Sequence, residues 1–379
     1  MMRARCWPTT QVSAEKAISD APTRLATIQR ALIAFCRPGF EGESAQELTA
    51  LAAIHGVHGY VRTERGSGLV EWLPTPDDGL DVLVRKIGWR DSVFCRQLLE
   101  GFAKATAMDR KDRLASLLPA IRSSAMRYRD VRVEAPDSDA CRELAALCRA
   151  LTSALVSALK REQLLDPVAP QRLHIVLTAA DAALLARVDI ERGPLWPGGI
   201  PRLKFPKDAP SRSTLKLDEG LLVLLDDHER ERWLKPGMTA VDLGAAPGGW
   251  TWQLVRRSIQ VTAIDNGPMD SRLLDSGLVD HHRVDGFRYQ PPKPVDWMVC
   301  DMVEQPRRVA ARMAEWLAQG WCQMTMFNLK LPMKKRLDEV DLCRDIFVER
   351  LAGKNLDWRA RQLYHDREEV TVFARIAGR

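Results

Sequence analysis

At 379 residues the chain exceeds what one compact domain holds, since single domains run to about 100–200 residues, and two or three are expected. Its 46% apolar and 28% charged residues exclude the disordered, collagen-like and membrane classes, and apolar runs such as Leu221 to Leu225 fall far short of the roughly 20 residues that span a bilayer. The 56 basic against 50 acidic residues leave a net charge of +6, too weak by itself to identify a polyanionic partner, and the eight scattered cysteines, without a CxxC pair, read as reduced thiols with neither zinc nor disulfides.

Residues 1–27 hold no apolar stretch and include Glu15 and Asp20, so a disordered leader is expected there in place of a signal. From Arg30, ALIAFCRPG predicts a buried strand, and Glu41 to Ala53 has helical spacing through Ala45, Leu48, Leu51 and Ala52. HGYVRTE and GSGLVEWLP predict strands about a Gly-rich turn, DGLDVLVRKI predicts a second helix, and this α+β unit over 28–100 closes near residue 100. A second α+β unit is expected over 101–205. It opens on a basic, helix-prone segment with Lys104, Arg110, Lys111, Arg113, Arg122, Arg127, Arg129 and Arg132, whose plainest reading is a solvated helix face. A long amphipathic helix in CRELAALCRALTSALVSALKRE and two strands in RLHIVLTAADAALLARVDI follow.

Pro194, Pro197, Pro201, Pro206 and Pro210, with Gly198 and Gly199, then rule out a continuous helix or central strand. This stretch is a linker or an ordered binding loop, and its Arg202, Lys204, Lys207 and Arg212 suit either a solvated linker or one laid against phosphates. Over 206–379 helix and strand alternate. A helix from Thr214 through Leu225 precedes MTAVDLGAAPGGWTWQLVRRSIQVTAID, which reads as strand, Gly-rich turn, helix, strand. Strands are expected at Asp296 to Cys300 and Gln323 to Asn328, helices at Arg307 to Gln319 and Lys334 to Leu351, and a closing hairpin in WRARQLYH and EEVTVFARI. The fold class is therefore α/β: a doubly wound, Rossmann-like domain with an antiparallel last strand, preceded by two α+β modules.

In an open α/β sheet, ligands bind at the carboxyl ends of strands, where glycines let backbone and ligand approach. DLGAAPGGW, Asp242 to Trp250, is placed to hold a cofactor, and its G-x-x-x-G-G spacing disfavours the dinucleotides that use G-x-G-x-x-G. Asp265, ending the second strand, is where such folds bind the ribose of an adenosine-containing cofactor, and Asp285 lies one strand later. Lys334, Lys335 and Arg336 at a helix start oppose the helix dipole, which points to a nearby anion or else to a solvated charged turn. Trp196, Phe205 and Trp250 suit either stacking on bases or adenine or a place in the core.

DLGAAPGGW is the first motif of the S-adenosylmethionine-dependent methyltransferases of the FtsJ type, and the chain resembles them from Ser211 to Phe373. The resemblance implies S-adenosyl-L-methionine as cofactor, held by Ser213, Asp242, Gly244, Ala246, Pro247, Gly248, Gly249, Trp250, Asp265, Asp285 and Asp301. It also implies a Lys-Asp-Lys-Glu catalytic tetrad, for which Lys216, Asp301, Lys330 and Glu369 stand at matching positions; Glu368 is adjacent, and a one-residue shift flips the strand face. A ribose hydroxyl is a poor nucleophile near neutral pH, so its attack on a sulfonium methyl needs a base, and Lys330 is the candidate. A lysine serves only when neutral, through burial or a neighbouring cation such as Lys216, and Asp301 and Glu369 oppose this. Taken singly, the four read as surface residues and ion pairs; beside the full motif they read as a site.

CDMVEQP, GWCQMTMFNLKLPMKKR and the opening AFCRPGFEGESAQEL resemble more narrowly the RlmM family of bacterial large-subunit ribosomal RNA ribose 2′-O-methyltransferases. This likeness implies N-terminal ferredoxin-like and THUMP (RNA-binding) domains, and methylation of a cytidine in 23S rRNA before or during large-subunit assembly. The chain is expected to be a cytoplasmic monomer without metal. Two other readings stand beside it: 2′-O-methylation of another RNA such as tRNA, and a non-catalytic RNA-binding assembly factor, which has no need of all four tetrad residues. A base methyltransferase that attacks carbon commonly needs a cysteine nucleophile, and Cys300, preceding Asp301, points to the opposite face of its strand.

Overall fold

The computed structural model describes residues 27–76 and 79–378, so the expected leader lies almost wholly outside the described residues. The first half comprises β1 (Thr27–Phe35), α1 (Glu41–Ile54), β2 (Gly59–Thr63), β3 (Leu69–Pro74), α2 (Gly79–Lys86), β4 (Gln97–Ala105), α3 (Arg113–Ser123), β5 (Val131–Glu134), α4 (Leu144–Arg161), β6 (Gln171–Ala179) and β7 (Ala182–Asp189). These strands form one seven-stranded sheet in the order β2-β3-β1-β4-β7-β6-β5. The helices follow the apolar spacing of the sequence. Leu144, Cys148, Leu151, Leu155 and Leu159 of α4 recur at three- and four-residue steps and bury against Leu173 and Ile175 of β6. Leu48 of α1 and Leu80 and Leu83 of α2 close over Leu32 and Trp72 at the other end of the sheet.

β4 was absent from the sequence reading, which placed a helix-prone segment from Lys104. QLLEGFAKA is central in the sheet and buried along most of its length, so it lacks the polar–apolar alternation of a half-exposed strand. Its Glu100 accepts from Arg187 Nε across the β4–β7 pair at 2.8 Å, and Lys104 reaches Glu71 at 3.3 Å. The boundary expected at residue 100 falls within β4, which pairs with β1 on one side and β7 on the other.

Residues 190–213 form an ordered strap. Arg132 donates to the carbonyls of Pro194 and Leu195, the last at 2.7 Å, and Gly198 N donates to Glu134 at 2.8 Å. Gly199 (φ +69) passes so close to β4 that a Cβ would lie 2.0 Å from the Arg96 carbonyl, which only glycine permits.

The second half comprises α5 (Thr214–Leu224), α6 (Asp227–Trp233), β8 (Thr239–Leu243), α7 (Gly249–Val255), β9 (Gln260–Ile264), α8 (Ser271–Leu274), β10 (Val279–His282), β11 (Val295–Cys300), α9 (Pro306–Gln319), β12 (Cys322–Lys330), α10 (Arg336–Arg350), β13 (Leu356–Arg361) and β14 (Glu369–Ile376). Its sheet runs β10-β9-β8-β11-β12-β14-β13, parallel from β10 to β12, with β14 antiparallel to both neighbours as expected. Strand order reverses between β8 and β11, and that switch point opens the crevice where doubly wound folds bind ligands. Trp297 to Cys300 of β11 are fully buried, because α9 and α10 cover one face and α5 and α7 the other.

The two halves share a packed seam. Phe40 and Phe94 of the first half stack at 5.8 Å and belong to the core cluster of the second. Arg361, 4% exposed, donates to the Cys95 carbonyl at 2.6 Å and to that of Trp89, and lies 4.4 Å over the Trp89 ring. Arg336 pairs with Glu43 at 2.9 Å and Glu368 at 2.7 Å and covers Phe40. Of the basic run, Lys334 and Lys335 are exposed, while Arg336, which starts α10, clamps the seam through two carboxylates.

Candidate active site

β8 delivers the Gly-rich turn to the switch point. Gly244 (φ +78) leaves the strand where a Cβ would come within 2.4 Å of Met302 Cγ, and at Gly248 (φ +116) a Cβ would meet Leu273 Cδ1 at 2.3 Å. At Gly249 it would meet Ser213 Oγ at 2.1 Å; the positive φ of Gly244 and Gly248 is what calls for glycine at those two positions. Asp242 is buried behind the turn and accepts from Thr251 Oγ1 at 2.7 Å; burial, with Asp301 adding to it, pushes its carboxyl up to about 7. Trp250 is a correction. Its ring is 2% exposed among Leu217, Leu221 and Leu254, and Nε1 donates to the Ser213 carbonyl at 3.1 Å, so the indole braces the turn from within the core and is not free to stack on adenine. Trp196 packs partly buried against the first half, and Phe205 is exposed.

Asp265, just past β9, accepts from Ala246 N at 3.0 Å and Gly267 N at 2.7 Å, and the Pro247 carbonyl accepts from Asp270 N at 3.0 Å. Its carboxylate is thereby fixed beside the turn, at the place where a ribose diol needs acceptors. The donor set suits an adenosine cofactor: carboxylates after β9 and β11 flank the β8 turn. Asp285 does not join them. It is exposed and interacts within its own turn, with Phe287 N at 2.9 Å and Arg288 at 3.6 Å.

The four tetrad residues meet. Lys330 ends β12 directly opposite Glu369, the first residue of β14, and Asp301 follows β11, the neighbouring strand. Lys330 Nζ lies 2.5 Å from Asp301 Oδ1 and 2.9 Å from Glu369 Oε2. Lys216, from the first turn of α5, lies 2.6 Å from Glu369 Oε2 and 3.3 Å from both Asp301 oxygens. Burial disfavours the charge on Lys330, but Asp301 and Glu369 outweigh it and hold the ammonium above the usual lysine range. Glu368 points elsewhere, to Arg336, and Cys300 is buried with its thiol pushed up to about 12 by burial, far from a nucleophile's range.

Sequence reasoning missed the layer behind the tetrad. Asn328 Nδ2 donates to Asp301 Oδ1 at 2.9 Å and to Glu369 Oε2 at 3.1 Å, while its Oδ1 accepts from Thr371 Oγ1 at 2.7 Å. Thr371 Oγ1 also lies 3.0 Å from Asp366 Oδ2. A hydroxyl has one proton, so with Thr371 donating to Asn328 the Asp366 carboxyl is the donor to Thr371. That is the form burial selects, with Glu369 adding to it, pushing Asp366 up to about 8. The available signal was a polar residue in each of two apolar strand sequences, MTMFNLK and EVTVFA.

Sheet order, switch-point turn and paired acids define an S-adenosylmethionine-dependent methyltransferase domain of the Rossmann type. Residues 209–347 match the FtsJ-like methyltransferase family, residues 29–99 the RlmM ferredoxin-like domain, and residues 112–187 the N-terminal domain of ribosomal RNA large subunit methyltransferase M. The chain is 53% identical over 346 residues to the ribosomal RNA large subunit methyltransferase M of Xanthomonas oryzae pv. oryzae, covering 90% of this chain and 98% of that protein. Over the same length it is 52% identical to the protein of that name from Xanthomonas axonopodis pv. citri, with the same coverage. It belongs to the ribosomal RNA large subunit methyltransferase M family.

Proposed function

We propose that the protein transfers a methyl group from S-adenosylmethionine to the ribose 2′-hydroxyl of a cytidine in 23S rRNA, acting in the cytoplasm as a monomer before or during large-subunit assembly. The observation that carries this reading is the convergence of Lys216, Asp301, Lys330 and Glu369 beside the cofactor turn. The cofactor supplies a methyl group on a cationic sulfur, which leaves as a neutral thioether. Lys330, in its neutral form, takes the hydroxyl proton as the oxygen bonds to that methyl carbon. The ammonium so formed is the species that Asp301 and Glu369 stabilise, so the ion pairs that make neutral Lys330 scarce also lower the energy of the proton-transfer transition state. Lys216 keeps the two carboxylates turned toward Lys330, and Asn328 fixes them from behind. Asp265, Ser213 and the backbone of the 244–249 turn are the cofactor's ligands in this reading, with Asp242 and Trp250 supporting the turn.

The division into 28–100, 101–205 and 206–379, as ferredoxin-like, THUMP-like and methyltransferase units, belongs to the same reading, with the first boundary lying inside the shared strand β4; the three family matches fall within these bounds. Tritium transfer from labelled S-adenosylmethionine to ribosomal RNA tests it. Lys330→Ala is expected to cut the rate by about 10²–10⁴-fold, the usual contribution of a general base, with cofactor affinity retained. Undiminished transfer by the variant sinks the assigned base, and methylation of tRNA in preference to rRNA sinks the substrate.

A further inference from the structure

A cavity of about 660 Å³ opens between the first half and the methyltransferase domain and reaches Lys216 and Glu369 of the tetrad. Four arginines line it: Arg37, from the loop after β1; Arg96, just before β4; Arg212, from the strap; and Arg367, from the β13–β14 connection. Among the described residues, none of the four has a carboxylate within ion-pair distance, whereas Arg336 elsewhere in the seam has two.

Arg96 is the telling one. It is 6% exposed, its Nε has no hydrogen-bond partner, and its other contacts are the Leu363 carbonyl at 3.3 Å and the ring of Tyr364 at 5.7 Å. Arg37 reaches the Tyr364 carbonyl at 3.1 Å; burial first, and then the Arg37 charge, depress the Arg96 guanidinium below the usual arginine range, against the weaker opposing charges of Glu219 and Asp137. A buried, unpaired cation beside a second cation is costly unless an anion completes the site. A second cavity, of about 490 Å³, shares Arg96, Asp137 and Tyr364 with the first and extends the opening toward β5 and α4. An extended polyanion can therefore run from the second unit to the tetrad past Arg96.

We propose that this cavity seats an RNA phosphodiester next to the acceptor nucleotide, with Arg96 and Arg37 of the first unit as its anion ligands. The proposal rests on the RNA methyltransferase reading above. The ferredoxin-like unit then supplies part of the acceptor site itself. Guanidinium groups suit the role because their fork of donors matches two phosphate oxygens at once.

The test uses the full chain and a transcript of large-subunit ribosomal RNA, with binding followed from about 50 to about 200 mM salt. Arg37→Gln and Arg96→Gln are each expected to weaken RNA binding about tenfold and to lower the slope of log affinity against log salt by about one, with S-adenosylmethionine affinity by calorimetry unchanged. Arg37→Lys should keep the slope. Without RNA, Arg96→Gln should melt no lower than wild type, since it removes an unpaired buried charge; a large fall in melting temperature would make Arg96 structural and overturn its part. RNA affinity and slope unchanged in Arg37→Gln, whose side chain is only partly buried, overturn the phosphate site. Wild-type protein that transfers no methyl group to any RNA would sink the underlying function instead, and the salt slopes of the two variants would still decide the phosphate site.

Discussion

The second sheet carries its chemistry at the ends of neighbouring strands, with Asp301 directly after the buried run of β11 and Lys330 closing that of β12. The first sheet is held together at its centre by a pair, β4 with β7, that joins Glu100 to Arg187 across the whole second unit. Both sheets have seven strands, yet the local one was legible and the long-range one was not. A strand bounded by its own apolar pattern needs no partner to be recognised. A central strand such as QLLEGFAKA is recognised by what covers both its faces and satisfies its charges. The seam then makes the two sheets interdependent, because β13, whose last residue Arg361 holds the Cys95 and Trp89 carbonyls, leads through the 362–368 loop into Glu369.

The largest test of that interdependence is Arg361→Ala. It strips two carbonyls of the first half of their buried donor and leaves a void over Trp89. Hydrogen bonds to charged groups contribute about 1.5–3 kcal/mol each, so a loss of about 3 kcal/mol or more is expected in urea unfolding followed by tryptophan fluorescence. If the two halves instead unfold independently and the second is unaffected, the seam is not a shared core. Next comes Asn328→Ala, which leaves the folded sheets intact and frees Asp301 and Glu369 from their common donor. Turnover should fall about 10²-fold with the Kd for S-adenosylmethionine unchanged, in single-turnover assays. A fall in cofactor affinity alone would move Asn328 out of the acceptor side of the site.

The smallest effect concerns Asp366. Its folded pKa of about 8 lies above the usual carboxylate range, so between the two values the folded chain holds a proton that the unfolded chain has released. Stability from this group is full in acid and is lost as pH rises toward about 8. Asp242, raised to about 7, acts in the same direction. Asp366→Asn should therefore lose less melting temperature than wild type between pH 7 and pH 9, by about 3–6 °C, since one pH unit below the folded value is worth about 1.4 kcal/mol and 1 kcal/mol shifts a domain of this size by about 2–4 °C. An unchanged pH dependence would mean that Asp366 is ionised, and that Thr371 donates to it instead of to Asn328.

The sequence by itself determined the doubly wound domain, its antiparallel last strand and the Gly-rich turn, each from residues near one another in the chain; the four tetrad positions came from the resemblance to the FtsJ type. Tertiary structure alone decided the rest. Register settled Glu369 over Glu368, since pairing Lys330 with Glu369 puts Glu368 on the Arg336 side. Burial turned Trp250 from a stacking candidate into a brace, and made Asn328, Thr371 and Asp366 a single donor chain. The cations fared likewise: the conspicuous run at Lys334 to Arg336 ends in a carboxylate clamp, whereas Arg37 and Arg96, isolated in the sequence, meet at the cavity mouth. Whether a charge is paired depends on what long-range packing brings to it, and no local pattern encodes that.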